Sequence, residues 1–526
     1  MRVLQLLILT LVFAACLPGC DPPESKFVYS TKTEELTRDV GAVVKERLDG
    51  DFGSPRSSVA WLRMPVDYGT FKGEVVEVEK DASSVYQFRV TFGSSDDKET
   101  GDKGKEGDAS PTPGEMNLAG LAIIWKSGAY EGGSQIDGGT RDGEKLAALQ
   151  VASWSKDEED GEDDEDDEEG LLTLRQKMDP PPAVGDTFEI VGHKLSIGRQ
   201  LYAAHCQHCH GTSGDGAGPT AQYLNPRPRD YRPGKFKFQS TLKTNRPTDG
   251  DLQRIITKGI PGTYMPSFLL LEDAELDSIV QYVKWLSMRG EYEIKLVTQL
   301  YFDYEKVVFD EAVESALKDG LEEFEEGTRD EEPTKNSIRD ELVATANADL
   351  PDIAEEESDL LAKAWNKENM TVVLPLVART PDTAESRARG RVLYVKNCSA
   401  CHGATGRGDG EQVDAYMVDD QTREKRSEPG LFDDWGHSIK PRNLTRGIYR
   451  GGRRPVDLFR RVFEGINGTP MPPFKGKFDN DKKINDARTW DLVNYIYHIP
   501  FESRGKSAGG SATKHGQTAA STPSTR

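Results

Sequence analysis

Cysteine is scarce and unevenly placed. Of six cysteines in 526 residues, Cys16 and Cys20 lie near the N-terminus and Cys206, Cys209, Cys398 and Cys401 form two pairs, so none is left over for a structural disulfide. The apolar run that opens the chain, Val3 to Cys16, is too short to serve comfortably as a permanent bilayer span. No strongly basic stripe stands clear of acidic neighbours, which argues against nucleic-acid binding. Hydrophobic residues make up only 36% of the chain against 30% charged, so some of it lacks the material for a packed core. At this length the remainder must still divide into several domains.

The formal charge of −22 is spread unevenly. Residues 20–192 carry −20 and residues 291–382 carry −16, whereas residues 193–290 and 383–500 carry +5 each. The mildly basic stretches are the ones that hold the cysteine pairs.

Met1-Arg2 and the apolar run have the n-region and h-region of an export signal. The run ends in Leu17-Pro18-Gly19-Cys20, which resembles a bacterial lipobox and predicts a signal peptide over 1–19 with lipid on Cys20. Pro18 departs from the usual residue there, Ala14-Ala15-Cys16 is a rival site, and simple cleavage to a soluble periplasmic protein is the alternative. Residues 20–60 read as a tether and then a helix near Glu34 to Leu48, with Leu36, Val40, Val43, Val44 and Leu48 on one face. Short alternating runs at Gly73 to Val78, Tyr86 to Thr91, Leu118 to Trp125 and Thr187 to Val191 predict a small β-rich domain over 61–192. Two low-complexity insertions interrupt it, Ser94 to Pro113 and the acidic block Asp157 to Glu169, which self-repels and reads as a disordered loop.

The chemistry lies in Cys206-Gln207-His208-Cys209-His210 and its counterpart Cys398-Ser399-Ala400-Cys401-His402. A C-x-x-C-H run reads as covalent c-type haem attachment, with two thiols for the vinyl groups and an imidazole for the iron. The separation of the pairs and the histidine that each carries argue against a shared zinc site. The surroundings repeat as well. Gly198 and Gly390 stand eight residues before the first cysteine of each motif, and Tyr202 and Tyr394 stand four before, on a helix that leads into it. A glycine-rich turn follows, then Pro228-Arg229 and Pro441-Arg442, then short helices beginning near Asp251 and Asp457. Gly262-Thr263-Tyr264-Met265-Pro266 matches Gly468-Thr469-Pro470-Met471-Pro472. A lone methionine is usually core filler, but a methionine at the same point of both repeats, in a Gly/Pro-rich loop, is placed to offer its thioether to a metal. Each module ends in an amphipathic helix, Asp273 to Met288 and Thr489 to His498. The second module carries an insertion holding Met417, Trp435 and His437, the last a rival ligand to Met471. Between the modules, acidic helices at Tyr304 to Glu326, Ser337 to Ala348 and Asp352 to Lys367 and a strand-like Thr371 to Val377 read as a spacer; residues 501–526 read as a disordered tail.

On these motifs the chain resembles the class I c-type cytochromes, and is similar to cytochrome subunits of high-affinity haem-copper oxidases and related dihaem carriers. The resemblance covers 193–290 and 383–500 and implies a mainly α fold: two cytochrome c-like helical haem domains beside the N-terminal β-rich domain. It implies two covalently bound haem c groups, thioethers from Cys206, Cys209, Cys398 and Cys401, and iron ligands His210 with Met265 and His402 with Met471. It also implies that the carbonyls of Pro228 and Pro441 orient the imidazoles and that Arg229 and Arg442 meet haem propionates.

Ligation by His and Met fills every iron position, which suits outer-sphere electron transfer rather than catalysis. The expectation is a non-enzymatic dihaem carrier, or a subunit of an oxidoreductase complex, on the periplasmic face of a bacterial membrane. Its redox partners would be a quinol-oxidising complex and a terminal oxidase or small cytochrome. The alternatives are a dihaem peroxidase and the electron-accepting subunit of a periplasmic dehydrogenase.

Overall fold

The structure, a computed structural model, describes residues 26–78, 85–93, 112–128, 140–141, 144–145, 149–157, 168–418 and 423–508. The signal peptide with Cys16 and Cys20, most of the two low-complexity insertions and most of the C-terminal tail lie outside the described residues. Two compact units are present. The first comprises residues up to Gln222, Pro228–Gly234 and Glu272–Lys363; the second comprises Tyr223–Arg227, Lys235–Leu271 and the chain from Ala364 onward.

The first unit begins with α1 (Thr31–Glu35) and α2 (Arg38–Phe52). Val40, Val44, Leu48 and Phe52 form the buried face of α2. Six strands of one sheet follow: β1 (Thr70–Glu77), β2 (Val85–Phe92), β3 (Ala122–Trp125), β4 (Val151–Lys156), β5 (Glu168–Met178) and β6 (Thr187–Val191). They pair antiparallel in the order β3-β6-β1-β2-β5-β4. Alternation puts one face of each strand inward, so Phe71, Val75, Phe88, Val90, Ile123, Trp125, Leu172 and Phe188 make one core. Strand β5 begins at Glu168, inside the acidic run. That carboxylate is held by Lys156 Nζ at 3.0 Å and by the backbone N–H of Gly114, which lowers its pKa although desolvation opposes them. The acidic block therefore gives way to sheet two residues before its end.

After β6 the chain enters α3 (His193–His205) and α4 (Gln207–His210), and the unit returns as the long helix α6 (Asp273–Tyr304) after a shorter one, α5 (Asp249–Lys258), that belongs to the second unit. Helix α6 runs sixteen residues past Met288, where the amphipathic helix was expected to end. Gly290 is not a terminator: its missing side chain admits Arg232, whose Cα would lie 2.6 Å from an added Cβ. Beyond it, Tyr292 packs with Phe52 and Trp61 at ring separations of 5.9 and 5.2 Å. Arg289 and Glu293, each 1% exposed, are 3.5 Å apart, and the Arg289 guanidinium lies 3.9 Å over the Phe27 ring. Residues 27–64 are thus docked along α6 rather than trailing as a tether. Helices α7 (Lys306–Glu325) and α8 (Lys335–Trp365) follow, and α8 continues through Pro351 where two helices were expected. Thr371 to Val377 supplies only an isolated bridge, Val372 to Thr241, instead of a strand.

The second unit contains α5, α9 (Ala384–Asn397), α10 (Ser399–His402), α11 (Pro455–Glu464) and α12 (Lys482–Ala508). Its core joins Tyr394, Leu458, Phe459, Val462, Trp490, Val493 and Tyr495. Among the described residues no helix is long and apolar enough to cross a membrane.

One buried histidine makes the first unit sensitive to acid. His193, 6% exposed at the start of α3, stacks on Phe71 at 4.3 Å, and burial first, then Lys194, pushes its pKa down to about 4. It is neutral in the fold and takes up a proton on unfolding, so its contribution is present above about pH 6.5 and is lost as pH falls toward 4. The full loss is about 3 kcal/mol. Denaturant melts from pH 7 to 4.5 should show a shallower loss of stability in His193→Phe than in the parent; equal slopes contradict this.

Candidate haem sites

Each C-x-x-C-H motif forms a short helical turn at the end of a helix whose own position is fixed by a glycine. Helix α3 buries Leu195, Gly198 and Tyr202 at helical spacing, and α9 buries Ser386, Gly390 and Tyr394. A Cβ at Gly198 would strike the Ser278 carbonyl of α6 and stand 2.8 Å from Tyr282 Cβ. A Cβ at Gly390 would strike the Asp491 carbonyl of α12 and stand 2.9 Å from Tyr495 Cβ. Glycine within a helix costs about 0.5–1 kcal/mol relative to alanine; here it permits two backbones to touch. Beside each crossing a tyrosine pair packs, Tyr202 with Tyr282 at 5.2 Å and Tyr394 with Tyr495 at 5.4 Å. Tyr202 and Tyr394 donate to the carbonyls of Gly211 and Gly403, both at 2.8 Å, which ties each lead-in helix to the turn behind its motif. Those two glycines, at φ +76° and +75°, end α4 and α10.

Within each turn the thiols and the imidazole come together. None of the four cysteines is in a disulfide. Burial, with the neighbouring thiol second, pushes Cys206 and Cys398 up to about 12, and burial raises Cys401. Burial lowers the pKa of His210 and His402, keeping the rings neutral and fit to bind a metal. His210 Nδ1 lies 3.3 Å from the Arg229 carbonyl, and His402 Nδ1 lies 3.4 Å from the Arg442 carbonyl. This corrects the expectation that Pro228 and Pro441 make these contacts. Their carbonyls face the glycine turns instead, that of Pro228 lying 2.6 Å from where Gly216 would carry a Cβ and that of Pro441 meeting Gly408 in the same way. The next residue's carbonyl is then the one that reaches the imidazole, which orients the ring and leaves Nε2 as its free donor.

Met265 and Met471 sit in turns with one hydrogen-bond pattern. Thr263 donates from its backbone N–H at 3.1 Å and from Oγ1 at 2.8 Å to the Ile260 carbonyl, and Ile260 N–H reaches the Met265 carbonyl at 3.2 Å. Thr469, Ile466 and Met471 repeat this at 3.2, 2.8 and 3.3 Å. The Met265 and Met471 N–H groups donate to the threonine Oγ1 at 3.2 and 3.4 Å. Neither methionine is core filler: both are half-buried, whereas Met64, Met178 and Met288 are 2%, 1% and 0% exposed. His437 pairs with Asp433 at 3.6 Å and its side chain is 42% exposed.

Cys206, Cys209 and His210 belong to the first unit and Met265 to the second, while Cys398, Cys401, His402 and Met471 all belong to the second. The donor set suits haem c: paired thiols one helical turn apart, an imidazole held at Nδ1, and a thioether on an ordered turn, each present twice. Arg450, which the sequence reading passed over, lies near Arg442 and adds to that donor set a cation with no acidic partner among the described residues.

The cytochrome c family model matches residues 195–287 and 387–500, so the chain carries two cytochrome c domains. No curated protein matches it. Among solved structures, a chain of the Kuenenia stuttgartiensis reducing HAO-like protein complex is similar at 24% identity and TM-score 0.35, over 58% of this chain and 95% of that one. These matches do not bear on the likeness to haem-copper oxidase subunits.

Proposed function

We propose that the chain is a dihaem electron carrier with His210 and Met265 on one iron and His402 and Met471 on the other. Haem c supplies one-electron chemistry at its iron. The residues do the rest: the thiols hold the group covalently, the Arg229 and Arg442 carbonyls orient the imidazoles, and the threonine-locked turns present the thioethers. The observation that carries the reading is the duplicated methionine turn, because a closed sixth position on both irons leaves no open site for peroxide. Cys20 as a lipid anchor puts the carrier on the periplasmic face of a bacterial membrane, between a quinol-oxidising complex and a terminal oxidase or small cytochrome.

Mixing the fully reduced protein with hydrogen peroxide tests the reading. Oxidation no faster than that of a small His/Met cytochrome is expected, and rapid multiple turnover favours a peroxidase and overturns it. The +5 charge of residues 193–290 and of 383–500 predicts partner association whose rate falls with salt. Stopped-flow reduction across ionic strength checks this, and a flat profile contradicts it.

A further inference from the structure

In the second unit, the segment that carries Met265 is built into the second haem module. Arg254 Nη1 donates to the Gly451 carbonyl at 3.1 Å and lies 3.9 Å from Asp457. Asn467 Nδ2 donates to Gln239 Oε1 and the Lys243 carbonyl, both at 3.2 Å. A close approach falls at Gly262, three residues before Met265. Its φ is +75°, and a Cβ there would strike the Arg442 guanidinium, with Cζ 2.9 Å away. Arg450 Nη2 donates to the Gly262 carbonyl at 3.2 Å. Arg442 donates from Nε to the Ile448 carbonyl at 3.1 Å, while its own carbonyl faces His402 Nδ1. Arg442 therefore touches the proximal imidazole of the second site with its backbone and the Met265 turn with its side chain.

Among the described residues no carboxylate pairs with either guanidinium. Both are partly buried and both reach Gly262, Arg442 against its Cα and Arg450 at its carbonyl. Neither has an ion-pair partner among the described residues, and Arg450 Nε is buried with no acceptor. Bringing two like charges together out of water is costly unless an anion with several acceptor oxygens joins them.

We propose that Arg442 and Arg450 form a carboxylate site for the propionates of the second haem, and that the same two side chains clamp the Gly262–Met265 turn. The propionate pocket of one haem and the methionine loop of the other are then one structural element. This rests on the His/Met reading above.

The test uses the holoprotein. With both methionines present, Arg450→Gln should shift the oxidised-to-reduced ratio of the second haem about tenfold toward oxidised at a fixed potential, because a cation that stabilises the reduced state is gone. In a Met471→Ala background the near-infrared methionine-to-iron band reports Met265 alone, and adding Arg450→Gln should reduce it by about half or more. Arg450→Lys keeps the charge but not the fork; it should restore the ratio and leave the band weak. An unchanged ratio or an unchanged band overturns the proposal. A Met471→Ala parent with no band at all overturns the ligation reading, and the clamp with it.

Discussion

Met471→His is expected to lower the reduction potential of the second haem by a few tenths of a volt, out of the roughly 0.8 V that axial ligands span. The first haem should keep its value to within the small shift of a neighbouring site. A thioether favours the reduced iron, whereas a second imidazole favours the oxidised one. The Met471 turn is locked through Thr469 to Ile466, so the substituted side chain leaves from the same backbone position. Met265→His should act in the same way on the first haem, whose turn has the matching bonds from Thr263 to Ile260. Spectroelectrochemical titration of the parent and both variants checks this. Two separate potentials should fall one at a time, and a variant that moves neither removes its methionine from the ligand set.

The second large effect lies at the helix crossings. Gly198→Val and Gly390→Val each put a branched Cβ against a backbone carbonyl, of Ser278 and of Asp491, that has no rotamer to move out of the way. Overpacking against a flexible side chain is often absorbed, but against backbone the helices must separate. The expected loss is about 3 kcal/mol, at the upper end for added core volume. Denaturant melts of the holoprotein should show the lowered midpoint, with Gly→Ala intermediate. Because Tyr202 and Tyr394 ride on the same helices and bond the Gly211 and Gly403 carbonyls, the Soret spectrum should change together with stability. A valine variant as stable as the parent contradicts the close crossing.

The two-fold repeat was legible because its signal is local. The motif histidine, the glycine, the tyrosine and the methionine recur at matching positions in both repeats, and each makes the same contact twice in the structure. The proline contact was off by one residue, since which carbonyl turns toward an imidazole depends on how the chain crosses the glycine turn at Gly216 or Gly408. Helix ends were harder to read. The helix expected to end at Met288 continues through Gly290, and the approach of Arg232 explains that glycine. Pro351 looks like a boundary, yet α8 runs through it. Strands β4 and β5 were missed because they flank the acidic run, whose charge hides the alternation Leu172, Leu174 on one side of it. Arg450 carried no signal at all: it lies outside every motif, and its importance comes from Gly262, far away in sequence.

In the proposed carrier both irons are closed by methionine. Near-infrared magnetic circular dichroism of the fully oxidised protein, scaled to haem content, measures it most directly. Methionine-to-iron intensity for two haems per chain is expected. Intensity for one haem or none, with a high-spin or bis-imidazole signal in its place, contradicts it.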